Sequence, residues 1–406
     1  MPDQQEPVRQ SALFLFLYAL AAAGGAVAYV PFLTILLPLR VTEFAGSDAL
    51  AILSYTAFAG AIAASIANIG FGWLSDVTQT RRPWIATGLL LSCMLLSLVP
   101  YATGPISLIA LIICWQIALN MMLGPLSAWA GDVVPDEQKG LLGGLLAFAP
   151  ALGALSGAFV TLQGLASADG RLYWVSALVL VMVAPLLLFG RPKLMPHLLV
   201  DPDSDDRSTL DTSLAIIAVR RMWLARLLVQ IAEASLFAFL LMWFRSLDPG
   251  FAENSTAIVF AFVLSIAVVF AIAVGRWSDR NGRPILPLAL CSAIAAAGLG
   301  IMAIAKSLPI AIGGYITFGI ASSIFLALHS SQTLRVLPKA AMRGRDMGIF
   351  NLTNTVPSLI MPGLTLALVP RYGFGLLFLL LAVLAVAASL LLFRVPDRSK
   401  EESKQF

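Results

Sequence analysis

The sequence predicts an all-α integral membrane protein with twelve spanning helices in two sets of six and both termini on the cytoplasmic side. Three observations carry that expectation. Of 406 residues, 59% are hydrophobic and 12% charged, against about 45–50% and 25% in soluble domains. At a mean hydropathy of +0.89, the apolar residues exceed what one buried core holds, so most must face hydrocarbon. They also fall into separate stretches of spanning length, and the cations gather on one side of those stretches.

Cutting the chain at charge, proline and glycine clusters leaves stretches at 11–39, 48–73, 83–101, 105–131, 140–164, 171–190, 221–245, 253–276, 284–306, 309–335, 345–369 and 372–394. A span needs about 20 apolar residues. The first stretch follows a polar tail, Met1 to Gln10, whose single cation is Arg9. It is too long for a signal-peptide core and lacks a clear cleavage site.

With both termini inside, the tails and inside loops hold 20 of the 26 cations, including Arg335, Lys339, Arg343 and Arg345. The outside loops hold five: Arg40, Arg171, Arg245, Lys306 and Arg371. That bias sets the orientation. The remaining cation, Arg226, lies within the seventh stretch. The longest polar segment, 191–220 with its DPDSDDRSTLD run, divides the stretches evenly. It reads as a cytoplasmic linker between residues 1–190 and 221–406, either a solvated connector or a docking site.

Cys93, Cys114 and Cys291 all lie in apolar runs, which leaves neither a disulfide framework nor a CxxC metal site. They read as packing residues, and no metal or cofactor is expected. No basic stripe with interleaved aromatics points to nucleic acid.

An internal repeat marks the two sets. Gly72-Trp73-Leu74-Ser75-Asp76 precedes Arg81-Arg82-Pro83, and Gly275-Arg276-Trp277-Ser278-Asp279-Arg280-Asn281-Gly282-Arg283-Pro284 follows 203 residues later. A second pair, from Val133 and from Val336, aligns Pro135 with Pro338, and Gly144 with Gly348 after one insertion. Parallel six-helix repeats follow. Within each loop a glycine admits a close neighbour, and an Asp one turn on can pair with Arg, making a breakable clasp on the cytoplasmic face; the alternative is charges that merely anchor a tight loop, which two copies in equivalent loops disfavour. The gating candidates are therefore Gly72, Asp76, Arg81, Arg82, Gly275, Asp279, Arg280, Gly282 and Arg283.

These segments resemble the repeated loop signature of the major facilitator superfamily, over nearly the whole chain. The resemblance implies two six-helix bundles around a central cavity, alternating access, and a cavity lined by helices 1, 4, 7 and 10. It also implies that Asp76 and Asp279 stabilise the outward-facing state from the cytoplasmic side. The first copy departs from the pattern, because Thr78-Gln79-Thr80 stands where a Gly and more Arg are usual. SDVTQTRRPWI from Ser75, the GDVVPDEQKG exit and GRDMGIFNLTNTVP from Gly344 are similar to the glycoside-pentoside-hexuronide and sucrose-type symporters. Drug antiporters usually carry an Arg in helix 4, and IICWQIALN has none. A monomer in a plasma membrane, the bacterial inner membrane, is the implied setting.

The seventh stretch places Glu233 near its midpoint. A charge at that depth costs about 2.5–3.5 kcal/mol even on lenient insertion scales. Arg226, Gln230 and Glu233 follow i, i+4, i+7 spacing and share a helix face. Glu233 is the candidate proton carrier, with Arg226 and Gln230 coupling it to solute. The alternative is a permanent Arg226–Glu233 pair, although two turns, about 10.5 Å, separate them. In the fourth stretch Trp115, Gln116 and Asn120 suit a polyol, since amides bond hydroxyls and an indole stacks on a sugar face. Amides also glue helices together in lipid. Tyr18, Tyr29, His329, Asn351 and Asn354 complete the solute candidates, each with a packing alternative. Gly140, Gly144, Gly153 and Gly157 of the fifth stretch read as close-packing surfaces.

The expectation is a proton-coupled symporter of a sugar or glycoside, with export of amphipathic compounds as the alternative. An enzyme is not expected, since HExxH, GxSxG and P-loop lysine motifs are all missing.

Overall fold

The computed structural model describes residues 9–135, 138, 141–142, 145–146, 148–193, 209–281, 283, 285–336 and 343–394, with backbone alone at 44, 47, 209–219, 279, 330–336 and 343–351. The described chain is helical: α1 (Ala12–Pro31), α2 (Leu37–Ala45), α3 (Ala49–Val77), α4 (Arg82–Leu98), α5 (Pro105–Val133), α6 (Ala149–Val160), α7 (Gly170–Phe189), α8 (Thr209–Leu247), α9 (Glu253–Arg280), α10 (Leu286–Ile304), α11 (Leu308–Val336) and α12 (Arg343–Phe393). Among the described residues, ten helical segments are long and apolar enough to cross a membrane, and Ala149–Val160 is a shorter apolar helix.

The ends follow local chemistry. Ser11 caps α1 by accepting the Phe14 amide at 3.1 Å. Proline in the first two positions opens α4, α5, α6 and α10, where its missing N–H costs nothing. Pro31 acts differently, ending α1 and leading into a π-helical turn, Phe32–Leu36, that continues into α2. The first apolar run is therefore helical to Ala45 with a widened turn in it, beyond the expected limit at 39. Gly373, at φ 73° and ψ 179°, divides α12, and only glycine adopts that backbone without strain.

One boundary differs substantially. The sequence predicts a linker that runs to residue 220, yet α8 already begins at Thr209. The apolar run Leu214 to Val219 joins the spanning stretch across Arg220-Arg221, because two arginines on a helix surface end the hydropathy without ending the helix.

Packing gathers α1–α7 into one group, through α1 on α6 and α7, α3 and α4 on α5, and α4 on α7. A second group forms from α8 and α10 on α12, and α10 and α9 on α11. Between the groups, α3 lies along α12 and α6 along α9. Small residues permit this closeness: a Cβ at Gly88 would stand 2.5 Å from the Met122 amide, and one at Gly153 would stand 3.0 Å from the Ala26 carbonyl. Large apolar side chains such as Ile66, Leu90, Val181 and Val269 are exposed, as a surface against lipid requires.

Candidate functional site

The functional groups fall at three levels: the end where the chain enters the 194–208 segment, called here the linker end, the middle, and the far end.

At the linker end α3 and α5 finish together, each with an acid in its last turn, where the helix dipole disfavours negative charge. Arg81 resolves both. Its Nη2 lies 2.5 Å from Asp76 and its Nε 2.9 Å from Asp132, and it also donates to the Ser75 hydroxyl. Burial opposes the Arg81 charge, but Asp132 and Asp76 outweigh it and hold the guanidinium above its ordinary pKa. Arg82 stacks over Trp129 at 5.4 Å. Gly72 faces Gly124 of α5, where an added Cβ would stand 3.4 Å from the Gly72 amide. In the second repeat, Gly275 packs against Leu328 and the Ser278 hydroxyl donates to the Arg283 carbonyl at 3.1 Å. Arg280 and Arg283 are exposed. The Asp279 side chain and Gly282 lie outside the described residues, as do Gly140 and Gly144.

Gln10, a polar tail residue that belongs to no motif, is buried here. Its amide donates to the Val133 and Lys193 carbonyls at 2.7 and 2.8 Å and accepts from the Lys193 amide at 2.9 Å. Its backbone exchanges bonds with the Gln138 side chain at 2.7 and 3.0 Å. The N-terminal tail, the α5 exit and the start of the linker are thereby knotted together.

At the middle level stand two amide clusters. In the first group, Asn68 donates to Asn120 at 3.1 Å, and Asn120 donates to the Gln116 carbonyl at 2.9 Å. In the second, Gln230 donates to Asn354 at 2.6 Å, and buried Arg226 donates to Thr353 at 3.1 Å and Asn354 at 3.3 Å. Along α8, Gln230 turns to α12, Arg226 bridges α12 and the Leu326 carbonyl of α11 at 3.4 Å, and Glu233 accepts the Ser322 hydroxyl of α11 at 2.7 Å. Glu233 lies midway along the apolar part of α8, Arg220–Leu247, in a pocket with Tyr315, Ser323, Phe237, Phe260 and Phe318 that has room for about one water.

Other candidates sit in packed surroundings. Trp115 is wholly buried, with its ring 4.9 Å from Phe32 and edge-on. The Tyr18 hydroxyl donates to the Leu126 carbonyl at 2.7 Å, and buried His329 bonds the Met222 carbonyl through Nε2 at 2.9 Å. Tyr29 meets Phe237 of the other group at 6.2 Å between ring centres. The Asn351 side chain lies outside the described residues.

At the far end a tie crosses between the groups. Arg171 opens α7, where a cation opposes the helix dipole, and Glu253 opens α9, where an anion suits it. Both Arg171 terminal nitrogens lie 3.2–3.3 Å from Glu253 Oε1, and Arg245 reaches Oε2 at 3.4 Å. Asn254 donates to the Ala158 carbonyl and the Thr161 hydroxyl, each at 3.0 Å, at the end of α6.

Helices of membrane-spanning length in two packed groups, with buried polar clusters at mid-depth, define an integral multi-pass membrane protein. The Major Facilitator Superfamily model matches residues 14–342 and again 222–406, and the chain belongs to that family of transporters. It is similar to an uncharacterized MFS-type transporter of Yersinia enterocolitica serotype O:8, with 26% identity over 236 residues. The match covers 56% of each chain, so it spans about half the length of that relative.

Proposed function

We propose that the protein is a secondary transporter of the plasma membrane that works by alternating access, coupling proton movement to a small polar organic solute such as a sugar or glycoside. Twelve spans follow if α12 is counted as two at Gly373 and α6 as the described part of a further one. The 194–208 segment and both termini then face the cytoplasm, and the far end is the outer one. The conformer is closed outside, because the Glu253 tie joins the two groups there.

The observation that carries the coupling is the setting of Glu233. An acid at the middle of a spanning helix, served by one hydroxyl in an aromatic pocket, gains little from staying charged and is suited to bind and release a proton. Its separation from the Arg226 cluster favours this role over a permanent ion pair. The solute class rests on the amides of Gln116, Asn120 and Asn68 facing the same level as Gln230 and Asn354, since amides donate to and accept from hydroxyls. In proteoliposomes with an imposed proton gradient and a panel of sugars, Glu233→Gln should abolish accumulation and spare solute exchange. Undiminished accumulation would sink the coupling assignment.

The aromatic lining of the Glu233 pocket favours one second reading, proton-driven export of amphipathic compounds. Efflux of hydrophobic dyes, with no sugar accumulated, would select it.

A further inference from the structure

A second apolar slot adjoins the Glu233 pocket and shares Leu236, Phe237 and Phe260 with it. Its remaining lining comes from both groups: Thr34 and Ile35 from the π-helical turn after α1, and Leu240 and Thr256 from α8 and α9. Thr256 lies one turn from Glu253, so the slot leads toward the far-end tie. Thr34 gives its hydroxyl proton to the Val30 carbonyl at 2.7 Å, and Thr256 gives its own to the Ala252 carbonyl at 3.5 Å. Each therefore turns oxygen lone pairs, and no spare donor, to anything entering the slot. That is the polarity a protonated water needs.

Two rings close the passage. Phe237 stands between slot and pocket, 6.1 Å from Phe260 on its own side and 6.2 Å from Tyr29 across the boundary between the groups. An ion does not cross an apolar wall of this kind without a heavy desolvation cost. On the Glu233 side, the facing polar groups among the described residues are Tyr315, Ser322 and Ser323 of α11, while α9 contributes Phe260, Val263 and Leu264.

We propose that Phe237, held by Tyr29, is the plug that isolates Glu233 from the far end, and that the proton reaches Glu233 through the Thr34–Thr256 slot once the two groups part there. The wall belongs to α8 and α9, but its support, Tyr29, belongs to the other group. Opening the far end removes that support and wets the slot. A proton then passes from hydronium to the carboxylate, breaking one O–H bond of the hydronium, forming one at Glu233 and leaving neutral water behind. Reclosure traps it. This rests on the assignment of Glu233 as proton carrier.

The test uses purified full-length protein in proteoliposomes, with a pH-sensitive dye inside, an imposed proton gradient and no solute. Phe237→Ala should leak protons at least several-fold faster than the parent, and Phe237→Ala with Glu233→Gln should return the leak to the parent level. If Phe237→Ala does not assemble, Phe260→Ala breaches the same wall and gives the same readout. Vesicles that stay as tight as the parent, beside an uncoupled Glu233→Gln, overturn the plug alone. A leak that survives in the double variant overturns the route through Glu233. Full coupling in Glu233→Gln overturns the carrier assignment and the plug with it.

Discussion

The two ends of the molecule use the same chemistry for different purposes. At the linker end, Arg81 gathers Asp76 and Asp132 from helices of its own group, so these two ion pairs stiffen that group. At the far end Glu253 is held by Arg245 of its own group and Arg171 of the other, and Asn254 repeats the crossing. An interaction within a rigid body contributes to stability, whereas one between bodies contributes to the balance of conformations. The partner's location decides which.

The comparison can be broken by mutation. The largest effect should come from Arg81→Ala, which leaves two carboxylates at adjoining helix ends. With the Arg81 side chain 13% exposed, a loss of about 2–4 kcal/mol is expected, below the full cost of a stranded buried charge. The thermal midpoint in detergent measures it, and an unchanged midpoint contradicts it. Gln10→Ala should follow at about 1–3 kcal/mol, from several lost hydrogen bonds, read from the same thermal midpoint.

Glu253→Gln should barely move the midpoint, because partly exposed pairs contribute about 0.2–1 kcal/mol. It should instead widen the far end, read as a longer distance between spin labels at Gln163→Cys and Pro249→Cys. The comparison fails if that distance holds and the midpoint falls. Asn254→Ala should give the smallest change, a shift of the same sign and about half the size.

The sequence showed depth well and azimuth poorly. Hydropathy placed Glu233 at mid-span and Arg81 beside Asp76, because charge and turn chemistry are local. It could not show that Arg81 also holds Asp132, 51 residues away, nor that Glu233 turns to Ser322 while Arg226 turns to Asn354. In water the apolar stripe of a helix names its buried face, but in lipid the exposed face is equally apolar and the stripe disappears. Trp115 illustrates this, since its composition fits a sugar platform while its place is against Phe32. Glu253 was legible only as the start of an apolar stretch. An acid at one helix start and an arginine at another, both at the far end, is the signal available for the tie.

The unbroken length of α8 has a mechanical consequence. Its 39 residues make a rod of about 58 Å, nearly twice the thickness of the hydrocarbon layer. One arm stands in the membrane with Arg226, Gln230 and Glu233 on it, and the other projects toward the segment that joins the two groups. A pull or twist on that projecting arm is delivered as torque to the one in the membrane, which places the connector as a lever on Glu233, the proposed proton carrier.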